Sequence, residues 1–155
     1  MSNELSTTAR FWLEGVLARL GLPESRREEC VTNACVTINE VGIQFLQAAH
    51  GEKSYVVARA AVGEVPPPGK CESLFQLVLE VQGMMCGPHT PVLGMDWPAR
   101  HLLVSASIDM TTVSNEDAAA ILCSIQQMAN QWRDAIIGMN MPLPVADPAR
   151  IAAYR

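Results

Sequence analysis

The side chains able to do covalent or metal chemistry are few and scattered. His50, His89 and His101 fall in different connections, and none forms the HxxxH or HExxH spacing that sets two imidazoles on one helical face toward a metal. Cys86 and His89 stand close in sequence beside Gly87 and Pro88. A thiolate nucleophile needs a base and a third group to orient that base, and no third group accompanies this pair. Asp96 and Asp109 end strand-like stretches, where turn hydrogen bonds are their expected work. No serine sits in a GxSxG elbow, and no glycine run resembles a phosphate cradle. The residues therefore point to a protein that is not an enzyme, with no catalytic, cofactor-binding or metal-binding set. Met84, Met85, Met95, Met110, Met128, Met139 and Met141 are a different kind of signal. Most read as core filler, yet flexible thioethers also suit surfaces that accept several partner sequences.

Composition narrows the class further. The five cysteines, Cys30, Cys35, Cys71, Cys86 and Cys123, are odd in number and form no CxxC pair, which fits reduced thiols and a cytoplasmic location. The formal charge of -5 and the absence of a Lys/Arg cluster exclude a phosphate-backbone partner, so no nucleic acid is expected. The start lacks a basic region followed by an apolar core, and no apolar run reaches transmembrane length, so neither a signal peptide nor membrane insertion is expected. With 155 residues, 49% of them hydrophobic, one domain can bury about two-thirds of its unfolded surface.

The elements follow in order. Leu5, Ala9, Trp12, Leu13, Val16, Leu17 and Leu20 recur at three and four, predicting a helix stopped by Gly21, Leu22 and Pro23, with Phe11 off its apolar face. Glu24 to Glu29 reads as a solvated connector of mixed charge. Three β-prone stretches follow, about 34–39, 43–48 and 54–62, separated by Gly-containing polar turns, which is an antiparallel meander. Strands over 91–96 and 101–110 flank Trp97 to Arg100, the second with alternating Leu102, Val104, Ala106, Ile108 and Met110. Ser114 and Asp117 open a last helix, with Ile121, Leu122, Ile125, Met128, Ala129, Trp132 and Ile136 as its stripe and Gly138 as its end. The domain then spans 1–138, and 139–155, with Pro142, Pro144 and Pro148, reads as a flexible tail. The fold class is α+β, ordered α-β-β-β-α-β-β-α, with helices packed on an antiparallel sheet.

Between the strand groups lies an isolated helix over 71–85, bounded by Pro66 to Gly69 and by Gly87 and Pro88. Leu74, Leu77, Val78 and Val81 share one face, while Phe75 and Leu79 form a second apolar strip at i and i+4. One covering layer would leave that strip wet, so a second copy of the chain is its expected partner.

This pattern resembles the small acidic chaperones of bacterial type III secretion, the Tir-chaperone-like family, over about Leu5 to Gly138. The resemblance rests on Leu20-Gly21-Leu22-Pro23, on the exit from the third strand through Ala61, Val62, Gly63, Glu64, Val65 and Pro66, on Pro91-Val92-Leu93-Gly94-Met95-Asp96, and on Trp132-Arg133 late in the last helix. Gly83, Met84, Met85 and Cys86 stand where the family often has Asn, and the tail is longer than a minimal member needs. The resemblance implies a cytoplasmic homodimer, connected with virulence, that binds N-proximal segments of secreted effector proteins. It would keep them secretion-competent and deliver them to secretion apparatus components, its ATPase among them, with several clients expected. Phe75, Leu79 and Gln82 are the expected dimer interface. Phe11, Ile43, Phe45 and Leu103, apolar where the pattern leaves them poorly covered, are the expected effector-binding residues; an extended client could also add a strand to a sheet edge. The competing reading is a same-fold bacterial adaptor or regulatory binding domain outside secretion.

Overall fold

A computed structural model describes residues 4–50, 53–85, 87 and 89–140. Among them the elements run α1 Thr7–Arg19, α2 Glu24–Asn33, β1 Cys35–Ile38, β2 Val41–His50, β3 Lys53–Glu64, α3 Glu72–Met84, β4 Val92–Asp96, β5 His101–Asp109 and α4 Asn115–Asn140. The sheet order is β1-β2-β3-β5-β4 and every neighbouring pair is antiparallel. The expected α+β architecture is therefore present, with α3 carrying the chain across the sheet edge to β4.

Two boundaries differ from expectation. The stretch read as a connector is the first two turns of α2. Glu and Arg are good helix formers, Glu24 sits favourably at the positive end of the dipole, and Cys30 alone in the helix is buried. A helix anchored by two adjacent residues, Cys30 and the half-buried Val31, has no stripe for a periodicity argument to find. It ends on Ala34, held at φ 48, a left-handed conformation that costs a non-glycine residue about 1 kcal/mol. Gly138 does not end α4 either, which continues to Asn140. The tail beyond it lies outside the described residues, as do Cys86, Pro88 and Met141.

The core lies between one sheet face and the helices α1 and α4. Register explains its composition. Ile43 sits opposite both Val36 and Ala60, and Ala60 opposite Val104; Phe45 faces Ala58, which faces Ala106. All are buried. Leu122, Ile125 and Ala129 of α4 cover this layer, and Leu13, Val16 and Leu17 of α1 close it from the side, all without exposed surface. Small Ala58, Ala60 and Ala106 give the helical layer room to approach. Gly21, at φ 78, terminates α1 as expected.

The end of β3 shows why Arg133 is needed where it stands. Ala61 pairs with Leu103 and Gly63 with Leu102, so Val62 is an extra residue in the ladder. Its carbonyl accepts from Arg133 Nε at 3.2 Å, while Arg133 Nη1 donates to Asn130 Oδ1 at 3.4 Å. Replacing Arg133 by methionine keeps the aliphatic stem and leaves the bulge carbonyl without this donor. The expected loss is about 1.5–3 kcal/mol in urea unfolding, the range for a hydrogen bond to a charged group; an unchanged midpoint would show that solvent replaces the guanidinium.

Candidate functional site

Helix α1 buries Ala9, Trp12, Leu13, Val16 and Leu17 and turns Phe11 the other way. Its start is tied to the sheet by a short polar chain. Ser6 Oγ accepts from the Ala9 N–H at 3.3 Å, the Ser6 N–H donates to Gln47 Oε1 at 2.7 Å, and Gln47 Nε2 donates to Ser54 Oγ at 2.9 Å. At the far wall, Asp109 ends β5 and shapes the turn into α4. Its Oδ1 accepts from both the N–H and the Oγ1 of Thr111, at 2.9 and 2.6 Å, and Lys53 Nζ stands 3.8 Å from Oδ2. Ser114 then caps α4, accepting from the Asp117 N–H at 3.0 Å and donating to Asp117 Oδ2 at 2.6 Å. The two helices cross closely: a Cβ on Gly15 would collide with the Asn115 side-chain amide.

Between these fixed walls and α2 lies an open groove of about 580 Å³, mainly apolar, lined by Phe11, Trp12, Ala18, Arg27, Met110 and Thr111 among others. Phe11 is 79% exposed. Trp12 Nε1 and Arg27 Nε, both belonging to groove residues, are buried donors without an acceptor among the described residues. Such an unmade bond costs about 1–3 kcal/mol. Trp12 was assigned only to the core stripe and Arg27 only to a connector, so their meeting at one groove had no signal in sequence. Recognising it required α2.

The turn at Asp109 also carries an acid response. Its carboxyl is held below the ordinary carboxylate value, first by the Thr111 hydroxyl and then by the Thr111 amide, with Lys53 and Thr112 adding to this and burial opposing it. A lowered folded pKa contributes stability that is complete above the unfolded value, about 3.9, and is lost as pH falls through the folded value. Asp109→Asn, which keeps an acceptor for Thr111, is expected to be less stable near neutrality and to lose less on acidification below about pH 4. Parallel thermal melts across that window test this; curves offset by a constant would assign the acid response elsewhere.

The effector-binding residues expected from sequence do not form one surface. Phe11 stands at the groove, and Leu103 is half-buried on the opposite sheet face near Ala61, Gln44 and Arg59. Ile43 and Phe45 are wholly buried beneath the helices. The premise that these two are poorly covered is thus corrected: β2 does alternate, with Val41, Ile43 and Phe45 inward, and Leu46 half-buried on the other face.

On α3, Leu74 alone is fully buried, whereas Leu77, Leu79 and Met84 are exposed. Phe75 is half-buried, its ring centroid 6.0 Å from that of Trp97 at a tilt of 57°. Gln82 Oε1 accepts from the Leu93 N–H at 2.8 Å, occupying one donor of edge strand β4. The three expected interface residues thus differ: Leu79 is open, Phe75 partly covered, Gln82 engaged within its own chain.

Among the described residues, the thiols and imidazoles stand apart from one another's chemistry. Burial pushes the Cys30 and Cys35 thiols up, away from the thiolate. His101 Nδ1 lies 2.7 Å from the Ala99 carbonyl, in its own turn. Among the described residues no group of three potential ligands could hold a metal ion, and no helix is long and apolar enough to cross a membrane.

No family model and no curated protein matches the chain. Solved structures do. Over 93% of this chain and 99% of the other, it is similar to a chain of the ExsC–ExsE complex, with 19% identity and a TM-score of 0.61. The complex of the Yersinia pestis type III secretion chaperone SycH with a stable fragment of YscM2 matches over 79% and 97%, with 19% identity and a TM-score of 0.56. A chain of the ExoT–SpcS complex from Pseudomonas aeruginosa matches over 82% and 98%, with 13% identity and a TM-score of 0.55. The five-stranded antiparallel sheet with its helical layer is accordingly the fold seen in type III secretion chaperones.

Proposed function

We propose that this protein is a type III secretion chaperone, which holds an N-proximal, non-globular segment of a secreted effector and hands it to the export apparatus. The observation that carries the reading is the α1 groove, where Phe11 stands exposed above an apolar floor that the described residues leave uncovered. A contiguous exposed apolar surface of this kind, unlike a single exposed aromatic, marks an interaction site. An extended segment suits it better than a small ligand, because the groove is open and long helices flank it. Ordering such a segment costs roughly 2–5 kcal/mol, so dispersed apolar contacts must exceed that amount. Phe11 is the first contact in this reading, and Leu103 a second one where the segment wraps onto the outer sheet face. Work as a homodimer, through the exposed side of α3, belongs to the same proposal. So do a cytoplasmic location, service to several clients, the absence of catalysis, and transfer to secretion apparatus components such as an ATPase.

Co-expression with effector candidates from neighbouring genes, followed by light scattering, tests it. A stable complex of two chaperone chains with one client, lost on Phe11→Asp, is the expected result. A monomer that retains none of them would count against the proposal.

A further inference from the structure

We infer that the α1–α2 groove reads a carboxylate: its occupant is an extended polypeptide with an Asp or Glu next to an apolar side chain, the acid facing Arg27. The inference rests on the groove being the client-binding surface and adds what that surface selects. Three observations meet there. Trp12, 8% exposed, has an indole N–H without an acceptor, and Arg27 Nε is likewise buried and unsatisfied. Both residues line the same groove. Arg27 also has no carboxylate within ion-pair distance among the described residues; its Nη1 donates to the Leu22 carbonyl at 3.0 Å, which leaves the guanidinium without a direct ion-pair partner there.

A purely apolar occupant would fill the space over Phe11 and Met110 and leave the Arg27 charge without a counter-charge. The Trp12 and Arg27 Nε–H donors have no surface open to the groove, so an acceptor meets Arg27 through the part of its guanidinium that remains open, and a guanidinium half-buried in an apolar wall favours an ionised acceptor over a neutral one. The acid must lie at Arg27 itself, since Glu14 of α1 lines the same groove and, with Glu24 and Glu28 of α2, the hollow beside it, and each would repel it. The overall charge of -5 opposes acidic partners at long range. The preference is therefore a short-range contact, carried by one residue on the helix that the sequence pattern concealed.

The test is selection of a displayed random 12-residue peptide library on the full-length protein, on Arg27→Gln and on Phe11→Asp, with circular dichroism confirming that each variant is folded. The expected result is enrichment of Asp or Glu within two positions of an apolar residue on the parent protein, and loss of that enrichment on Arg27→Gln. A single enriched peptide should bind Arg27→Gln roughly tenfold or more weakly, its Glu→Gln counterpart should bind both proteins alike, and Arg27→Lys should fall between. Peptides that depend on Phe11 but show no acidic preference, or the same preference on Arg27→Gln, overturn the carboxylate inference and leave the groove as a client site. Failure to select any Phe11-dependent peptide overturns both.

Discussion

Phe45→Ala is expected to lower stability by about 3–5 kcal/mol, whereas Phe11→Ala should stay within about 0.5 kcal/mol of the parent protein. Both residues were read from sequence as poorly covered aromatics. Phe45 has no exposed surface, faces Ala58 across the β2–β3 ladder and lies under α4, so its removal opens a cavity whose small alanine neighbours cannot close it. Phe11 is 79% exposed and loses little that the folded chain uses. Urea unfolding of the two variants measures the difference directly. Comparable destabilisation by both would mean that Phe11 closes onto its groove in solution. A loss under 1 kcal/mol at Phe45 would mean that the sheet and α4 do not pack as described.

That contrast shows where periodicity informs and where it fails. The α+β class, the strand order along the chain and the boundaries of α1, β5 and α3 were legible, because each carries a repeat of two or near 3.6 with breakers at its ends. Local pattern could not say which face of β2 turns inward. Phe45 and Leu46 are adjacent and both apolar, and only pairing with Val36, Ala58 and Ala60 decides between them. Helix α2 was invisible for the opposite reason, as a charged helix pinned by the adjacent Cys30 and Val31 and so without a stripe. The groove followed it into invisibility. Phe11 was found as an exception to a stripe, but Arg27 reaches it from an element with no pattern, and Met110 from the far end of β5. Sites assembled across such distances need the tertiary fold.

Leu79→Asp is expected to convert the proposed homodimer to monomers, weakening association by roughly a hundredfold or more. Helix α3 buries Leu74 against its own chain and leaves Leu79 72% and Met84 77% exposed, with Leu77 beside them. A stable interface needs about 800 Å² from each partner, and an uncovered apolar helix supplies its centre. In a two-fold dimer each substitution enters twice, so two carboxylates would be taken from water into apolar surroundings without partners. Leu79 is the better probe than Phe75, whose ring packs beside Trp97 within the chain and whose loss would disturb the fold as well as the contact. Gln82 is likewise unsuitable, since its carbonyl serves the Leu93 N–H. Gln76→Ala, on the charged side of α3 and bonded to Glu80, should leave association unchanged. Sedimentation velocity over a hundredfold range of concentration distinguishes the cases. A folded Leu79→Asp protein that still sediments as a dimer would move the subunit contact away from α3, and a parent protein that sediments as a monomer would leave this apolar face to a different partner.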